Sequence, residues 1–185
     1  MKKLLTLFAI TFFSVAAQAK DIAGVELPDQ LTHQQSTLVL NGAGIRKKLF
    51  IDIYAAALYL PAPSSNNHMI IQKDGVMALK LHIISGLLNS DKMKKATREG
   101  FEKSTKGNTA PIQNTIDALI DTFKEDIKKN DVFDFIYEPG AGMHVVKNGA
   151  LKTTLKGLAF KQAFFGIWLS DQPIQKSLKK GLLNP

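Results

Sequence analysis

The chain has 185 residues, 24 of them Lys or Arg and 16 Asp or Glu, for a net charge of +8, and it contains no cysteine. Thiolate metal centres, disulfides and an acylated N-terminal cysteine are therefore excluded, and stability must come from packing. The basic balance suits an anionic surface or a small anion. Aromatic and basic residues are not interleaved as in single-stranded nucleic-acid binders, so no nucleic acid is expected as a partner.

The first residues set the expected compartment. Lys2 and Lys3 precede an apolar run over 4–16 that only hydroxyls interrupt, and Ala17-Gln18-Ala19 supplies an A-x-A cleavage site. The pattern predicts a signal peptide over 1–19, cleavage after Ala19, and a periplasmic protein starting at Lys20. An uncleaved anchor is the alternative. No later stretch reaches about 18 continuous apolar residues, so no membrane-embedded segment is expected. The span 20–185 is one domain's length.

A short apolar stretch over 22–27, closed by Pro28, reads as a strand or strand lead-in. Thr37, Leu38, Val39 and Leu40 predict a second strand, and Asn41-Gly42-Ala43-Gly44 a turn with two permissive glycines. Beyond Arg46, Leu49, Ile51, Ile53, Ala55 and Ala57 share one parity, and Phe50, Asp52, Tyr54, Ala56 and Leu58 the other. This predicts one long covered strand over 46–60, with Arg46 and Tyr54 on one face and Tyr59 on the other. A polar loop spans 61–67. Met77, Leu79, Leu81 and Ile83 then alternate with Ala78, Lys80 and His82, giving a strand with one apolar face.

Two helices are predicted next. Asn89-Ser90-Asp91 caps the first, whose thin apolar side is Met93, Ala96, Thr97, Gly100 and Phe101. After a break at Gly107-Asn108, Pro111 opens the second, with Ile112, Ile116, Leu119, Ile120, Phe123 and Ile127 at helical spacing. Period two returns over 132–137, Pro139-Gly140 turns the chain, and a strand follows over 143–147. Asn148-Gly149 marks a tight hairpin, with Leu151, Thr153 and Leu155 on the returning strand. Phe160, Ala163, Phe164, Ile167 and Trp168 form the aromatic face of a third helix, and Asp171-Gln172-Pro173 starts a fourth. The pairs Lys94-Lys95, Lys128-Lys129 and Lys179-Lys180 read as polar helix faces. The expected fold class is α+β, a large, mainly antiparallel sheet with helices layered on one side.

No catalytic or cofactor signature stands out, and no cofactor is expected. Gly42-Ala43-Gly44 resembles the start of a dinucleotide fingerprint, but a strand follows it, not a helix. The histidines, His33, His68, His82 and His144, show no chelate spacing, so no metal site is expected. Arg46 has two readings. Lys47 and Lys48 favour a solvated surface residue. An inward arginine would need an anionic ligand or a buried carboxylate, because its fixed donors match one bidentately. Tyr54 and Tyr59 each offer a polar tip, and Met93, Phe101, Phe164 and Trp168 line a cavity or fill a core.

The stretch from Asn41-Gly42-Ala43-Gly44-Ile45-Arg46 through Phe50 to Ala57-Leu58-Tyr59-Leu60 resembles the opening motif of the chalcone isomerase-like family. Phe165-Gly166-Ile167-Trp168-Leu169, Asp171-Gln172-Pro173 and Ser177-Leu178-Lys179-Lys180-Gly181-Leu182-Leu183 resemble the end of its bacterial, exported branch. The resemblance implies an open-faced β-sandwich with a ligand cleft between sheet and helices. Plant enzymes of the family close a chalcone to a flavanone, and related non-enzymatic members bind fatty acids with the same arginine against the carboxylate. By that likeness Arg46 matches the anion-binding arginine. Tyr54, Met93, Gly100 and Ala163 fall where the plant enzymes keep a threonine, a tyrosine, an asparagine and a threonine. So many altered donors argue against chalcone isomerase activity. The expectation is a non-catalytic binder of a small apolar anion such as a fatty acid, with Arg46, Tyr54, Met93, Phe101, Phe164 and Trp168 as its site and no catalytic residue. The alternatives are an isomerase or lyase for a small anionic or phenolic substrate, with Tyr54 as its acid–base group, and a structural or stress-related envelope protein with a filled cleft.

Overall fold

The computed structural model describes residues 19–184. Apart from Ala19, the expected signal peptide lies outside the described residues. Strands β1 (Ala19–Ile22) and β2 (Val25–Pro28) pair as a separate hairpin. A seven-stranded sheet follows, antiparallel throughout and with spatial order equal to chain order: β3 (Gln30–His33), β4 (Ser36–Lys48), β5 (Ile51–Leu60), β6 (Met77–Ile83), β7 (Val132–Glu138), β8 (Gly142–Lys147) and β9 (Ala150–Leu155). The helices are α1 (Asn67–Gln72), α2 (Ser90–Ser104), α3 (Gln113–Asp121), α4 (Leu158–Leu169) and α5 (Lys176–Leu182). No helix among the described residues is long and apolar enough to cross a membrane.

Several local signals act as read. Asn89 caps α2 by accepting from Lys92 N–H at 3.0 Å. Asn148 and Gly149 turn β8 into β9 with φ of 51° and 79°, as a type I′ hairpin requires.

The region 37–60 differs from its reading. There is no turn at 41–44: β4 runs straight through, with a bulge between Leu40 and Gly42. The reversal comes at Leu49 and Phe50, whose φ angles are 48° and 69°, so 46–60 is not one strand. The glycines serve closeness instead. A Cβ on Gly42 would stand 2.4 Å from the Gly181 carbonyl oxygen, and one on Gly181 2.6 Å from that of Ala43. These bare backbones let α5 lie directly on β4, where Asn41 Nδ2 donates to Leu182 O at 2.8 Å.

The second predicted helix is also shorter. Pro111 sits in a 3-10 turn (Ala110–Ile112), and α3 stops at Asp121, where Thr122 Oγ1 bonds back to Leu119 O. Phe123 and Ile127 are buried as predicted, but from irregular chain. Lys128 and Lys129 lie in irregular and turn backbone and so are not a helix face, and α5 begins at Lys176 rather than near Asp171.

Packing separates the two faces of the sheet. On one side, Tyr54, Leu58, Leu81, Phe133, Phe135 and Tyr137 join buried residues of all five helices in one cluster. Helix α4 is its centre, with every position over 160–169 buried except the half-buried Gln162. On the other side, Ala43, Ala55, Ala57, Tyr59, Ala78 and Ile136 pack under Val25 and Leu27 of the hairpin.

Candidate ligand-binding site

A cavity of about 320 Å³ lies between the sheet and the helix layer, at the low end of small-molecule sites, which hold about 300–1,000 Å³. Its floor is Ile53, Tyr54, Leu81 and Phe135 from β5, β6 and β7. Its roof is Met93, Ala96, Thr97 and Gly100 of α2, and Phe164, Ile167 and Trp168 of α4 close its inner wall. Gly100 explains how the roof is hung. A Cβ there would sit 2.8 Å from Ile167 Cγ2, so α2 rests directly on α4 at this point. Toward its N-terminus α2 adds the small Ala96 and Thr97 beside Met93, and the gap stays open.

The polar end is formed by strand pairing. Arg46 and Tyr54 stand opposite each other in the β4–β5 register. Their shared face therefore arises across two strands, not along one as the sequence pattern suggested. Arg46 Nη1 donates to Lys47 O at 2.6 Å and to Gln175 Oε1 at 2.9 Å. Gln175 also accepts from Lys47 N–H at 2.9 Å and donates to Ile45 O at 3.1 Å, so it clamps the guanidinium to the strand. Among the described residues no carboxylate forms an ion pair with Arg46. The half-buried cation carries donors and no anion.

Tyr54 is buried, and its hydroxyl oxygen accepts from Trp168 Nε1–H at 3.0 Å. Burial pushes its pKa up to about 12, against the opposing pull of the Trp168 hydrogen bond and Arg46. At neutral pH it keeps its proton, and with its oxygen already engaged by Trp168 it is a donor to whatever sits before it. Arg46 and Tyr54 thus offer donors to a carboxylate in a mainly apolar space whose lining also holds Lys48, Lys92, Lys103 and one carboxylate, Glu99. Proton abstraction is not supported, because a phenol this weakly acidic is not ionised near pH 7.

Of the residues singled out from sequence, the cavity brings together Arg46, Tyr54, Met93, Phe164 and Trp168. Phe101 is not among them. It is fully buried, stacked on Phe160 at 5.5 Å and tilted against Phe164 at 6.3 Å, and belongs to the core between α2 and α4. Gly100 lines the cavity, and Ala163 lies on another side of α4, toward α1. The residue missed was Gln175. A half-buried glutamine in irregular chain carries no local signal, and only the docking of α5 puts it against Arg46. Among the described residues one group has metal-ligand geometry, His33, Glu138 and His144, away from the cavity and invisible in sequence spacing.

An antiparallel sheet with helices on one face and a lined cavity between the layers defines an α+β fold of the chalcone isomerase-like type. The chain belongs to the chalcone isomerase-like family, whose model matches residues 19–184. The crystal structure of a fatty-acid binding protein from Arabidopsis thaliana is similar, with a TM-score of 0.71 over 91% of this chain and 96% of that one, at 18% sequence identity. At that identity the likeness speaks for the fold. No curated protein matches the sequence.

Proposed function

We propose that this protein is an exported, non-catalytic binder of apolar carboxylates of the fatty-acid class. The observation that carries the reading is Arg46, in no ion pair among the described residues, lining a mainly apolar cavity beside a protonated Tyr54. A carboxylate there would meet charge-assisted donors. Each methylene buried along Leu81, Met93, Phe135 and Phe164 would contribute about 0.8 kcal/mol, so one ionic anchor suffices for a long chain. The likeness to a plant fatty-acid binding protein supports this choice of ligand, and the A-x-A pattern ending at Ala19 supports export to the periplasm as a single domain.

The test is native mass spectrometry with organic extraction on protein purified from its own host, beside calorimetric titration of long-chain fatty acids into wild type and Arg46→Ala. One carboxylate per chain, lost in the variant, is the expected result. A wild type that is empty and refuses added fatty acids would sink the proposal.

A further inference from the structure

A second constellation lies across the sheet from the cavity. His33 ends β3, Glu138 ends β7 and His144 lies within β8. The β3–β4 turn reaches over to them: Gln34 Nε2 donates to Glu138 Oε2 at 2.9 Å, and the two imidazole rings stand 5.2 Å apart. Nε2 of each histidine is 3.6 Å from Glu138 Oε2, and the three ligand atoms all lie within 4.8 Å of one another. A separation of 3.6 Å is too long for a hydrogen bond. Both Nε2 atoms are buried and have no hydrogen-bond partner among the described residues. Buried ring nitrogens that face a carboxylate without bonding to it call for something between them.

A metal ion fits that space. Bonds of about 2.1 Å to a tetrahedral ion hold donors about 3.4 Å apart, close to the 3.6 Å of the two histidine–Glu138 pairs. The second shell agrees. His144 Nδ1 lies 2.9 Å from Thr154 Oγ1. With Nδ1 as the proton donor, Nε2 turns its lone pair toward Glu138, the arrangement that metal-bound histidines use. We propose that His33, Glu138 and His144 bind a divalent transition-metal ion, for which Zn²⁺ suits two imidazoles and one carboxylate, with solvent completing the shell. The ion would clasp the β3–β4 turn to the β7–β8 turn, and its role would be structural.

The probe is Zn²⁺ alone, titrated calorimetrically into untagged protein, with thermal unfolding measured with and without the metal. One ion per chain and a raised Tm are expected. Both should be lost in Glu138→Gln and His144→Gln, with the fold of each variant checked by circular dichroism. Thr154→Val should keep the ligands but weaken Zn²⁺ binding by roughly 10–100-fold. A wild type and a His144→Gln variant that titrate alike, or a Tm indifferent to zinc, would overturn the site and leave a bare His–Glu contact.

A different observation carries a second inference, which rests on the proposed function. Phe50 is 100% exposed, Leu49 83% and Leu87 54%. Leu49 and Leu87 also line the cavity, together with Lys48, Lys92 and Lys103 and a single carboxylate, Glu99, so the lining stays net positive. Positive φ angles at Leu49 and Phe50 are unusual for bulky side chains, and here they aim two apolar groups into solvent beside the entrance. Apolar tips beside a net-positive set of lysines match the interface of an anionic bilayer, where side chains enter the headgroup boundary and cations meet lipid phosphates. We infer that this rim docks on an anionic phospholipid surface when ligand is exchanged.

Co-sedimentation with phosphatidylglycerol vesicles, and with phosphatidylcholine vesicles as control, tests it. Binding to the anionic vesicles only, weakened by salt and lost in Phe50→Ser, is expected. Phe50 is not a cavity residue, so fatty-acid titration in solution should be the same for this variant. That separates failure of docking from failure of ligand binding. Wild type that ignores anionic vesicles, a Phe50→Ser variant that binds them equally, or Phe50-dependent self-association without vesicle binding would each overturn the inference.

Discussion

The two faces of the seven-stranded sheet are built from side chains of different size, and they close differently. Toward the helices stand Phe133, Phe135, Tyr137, Leu58 and Leu81. These hold the next layer off, and where α2 offers the small Ala96, Thr97 and Gly100 beside Met93 a cavity remains. The opposite face shows Ala43, Ala55, Ala57 and Ala78 beside Tyr59 and Ile136, and Val25 and Leu27 of the β1–β2 hairpin pack against them. Small residues close a face by backbone approach. Large residues close it only if the opposing surface is their complement, so space for a ligand arises where that complement is withheld.

Variants can break this contrast in graded steps. Phe164→Ala should do most damage, because its ring packs against Phe101, Phe135, Phe160, Phe165 and Trp168. A loss of about 3–5 kcal/mol is expected in urea unfolding.

Lys161→Met comes next. The buried Lys161 Nζ donates to the carbonyls of Ile70, Ile71 and Lys73 at 2.8–2.9 Å and so caps α1 from within the core. Orphaning those acceptors should cost about 2–4 kcal/mol. Burial also lowers the Lys161 pKa from 10.5 to about 8, with Asp74 opposing the shift. Between these values the unfolded chain holds a proton that the folded chain has released. The Lys161 contribution to stability should therefore rise from pH 8 to 10.5 and be lost as pH falls through 8. Denaturant midpoints across that range, compared with Lys161→Met, measure the slope. A variant with the same slope as wild type would place its origin elsewhere.

The outer face is probed by two smaller changes. Ala57→Leu should overpack the hairpin contact, at about 1–3 kcal/mol, and speed hydrogen exchange over 20–28. Tyr59→Phe removes the hydroxyl that donates to Pro28 O at 3.0 Å and should cost about 1 kcal/mol. Arg46→Ala should change stability least, by less than about 1 kcal/mol, because its bonds lie at a half-open rim. Its effect should fall on ligand affinity, at least roughly tenfold for one charge-assisted contact. A large loss of stability in Arg46→Ala would make it a structural clamp for α5 instead.

Legibility in the sequence followed the range of the interaction. The strand over 77–83, the α2 cap at Asn89 and the Asn148-Gly149 hairpin depend on residues a few positions apart, and each acts as its pattern suggests. The reversal at Leu49 and Phe50 was hidden, because neither residue carries turn chemistry and the conformation is held by the pairing of β4 with β5. The glycines at 42 and 44 misled for the converse reason. They looked like a turn, but what they accommodate is a helix that comes more than a hundred positions later. Phe101 and Phe164 were indistinguishable by type and spacing, and the packing of α2 on α4 left Phe101 in the core alone and Phe164 in the core and on the cavity wall.

By itself the sequence determined which side chains are apolar, at what period they recur and where the backbone is free to turn. That was enough for an antiparallel sheet with helices on one side, since each element's own periodicity dictates the face it must bury. Tertiary structure alone decided which face meets which. Arg46 opposite Tyr54, Gln175 against Arg46, and His33 beside Glu138 and His144 are products of register and sheet curvature. Those depend on how all the layers pack at once, and no single segment encodes them.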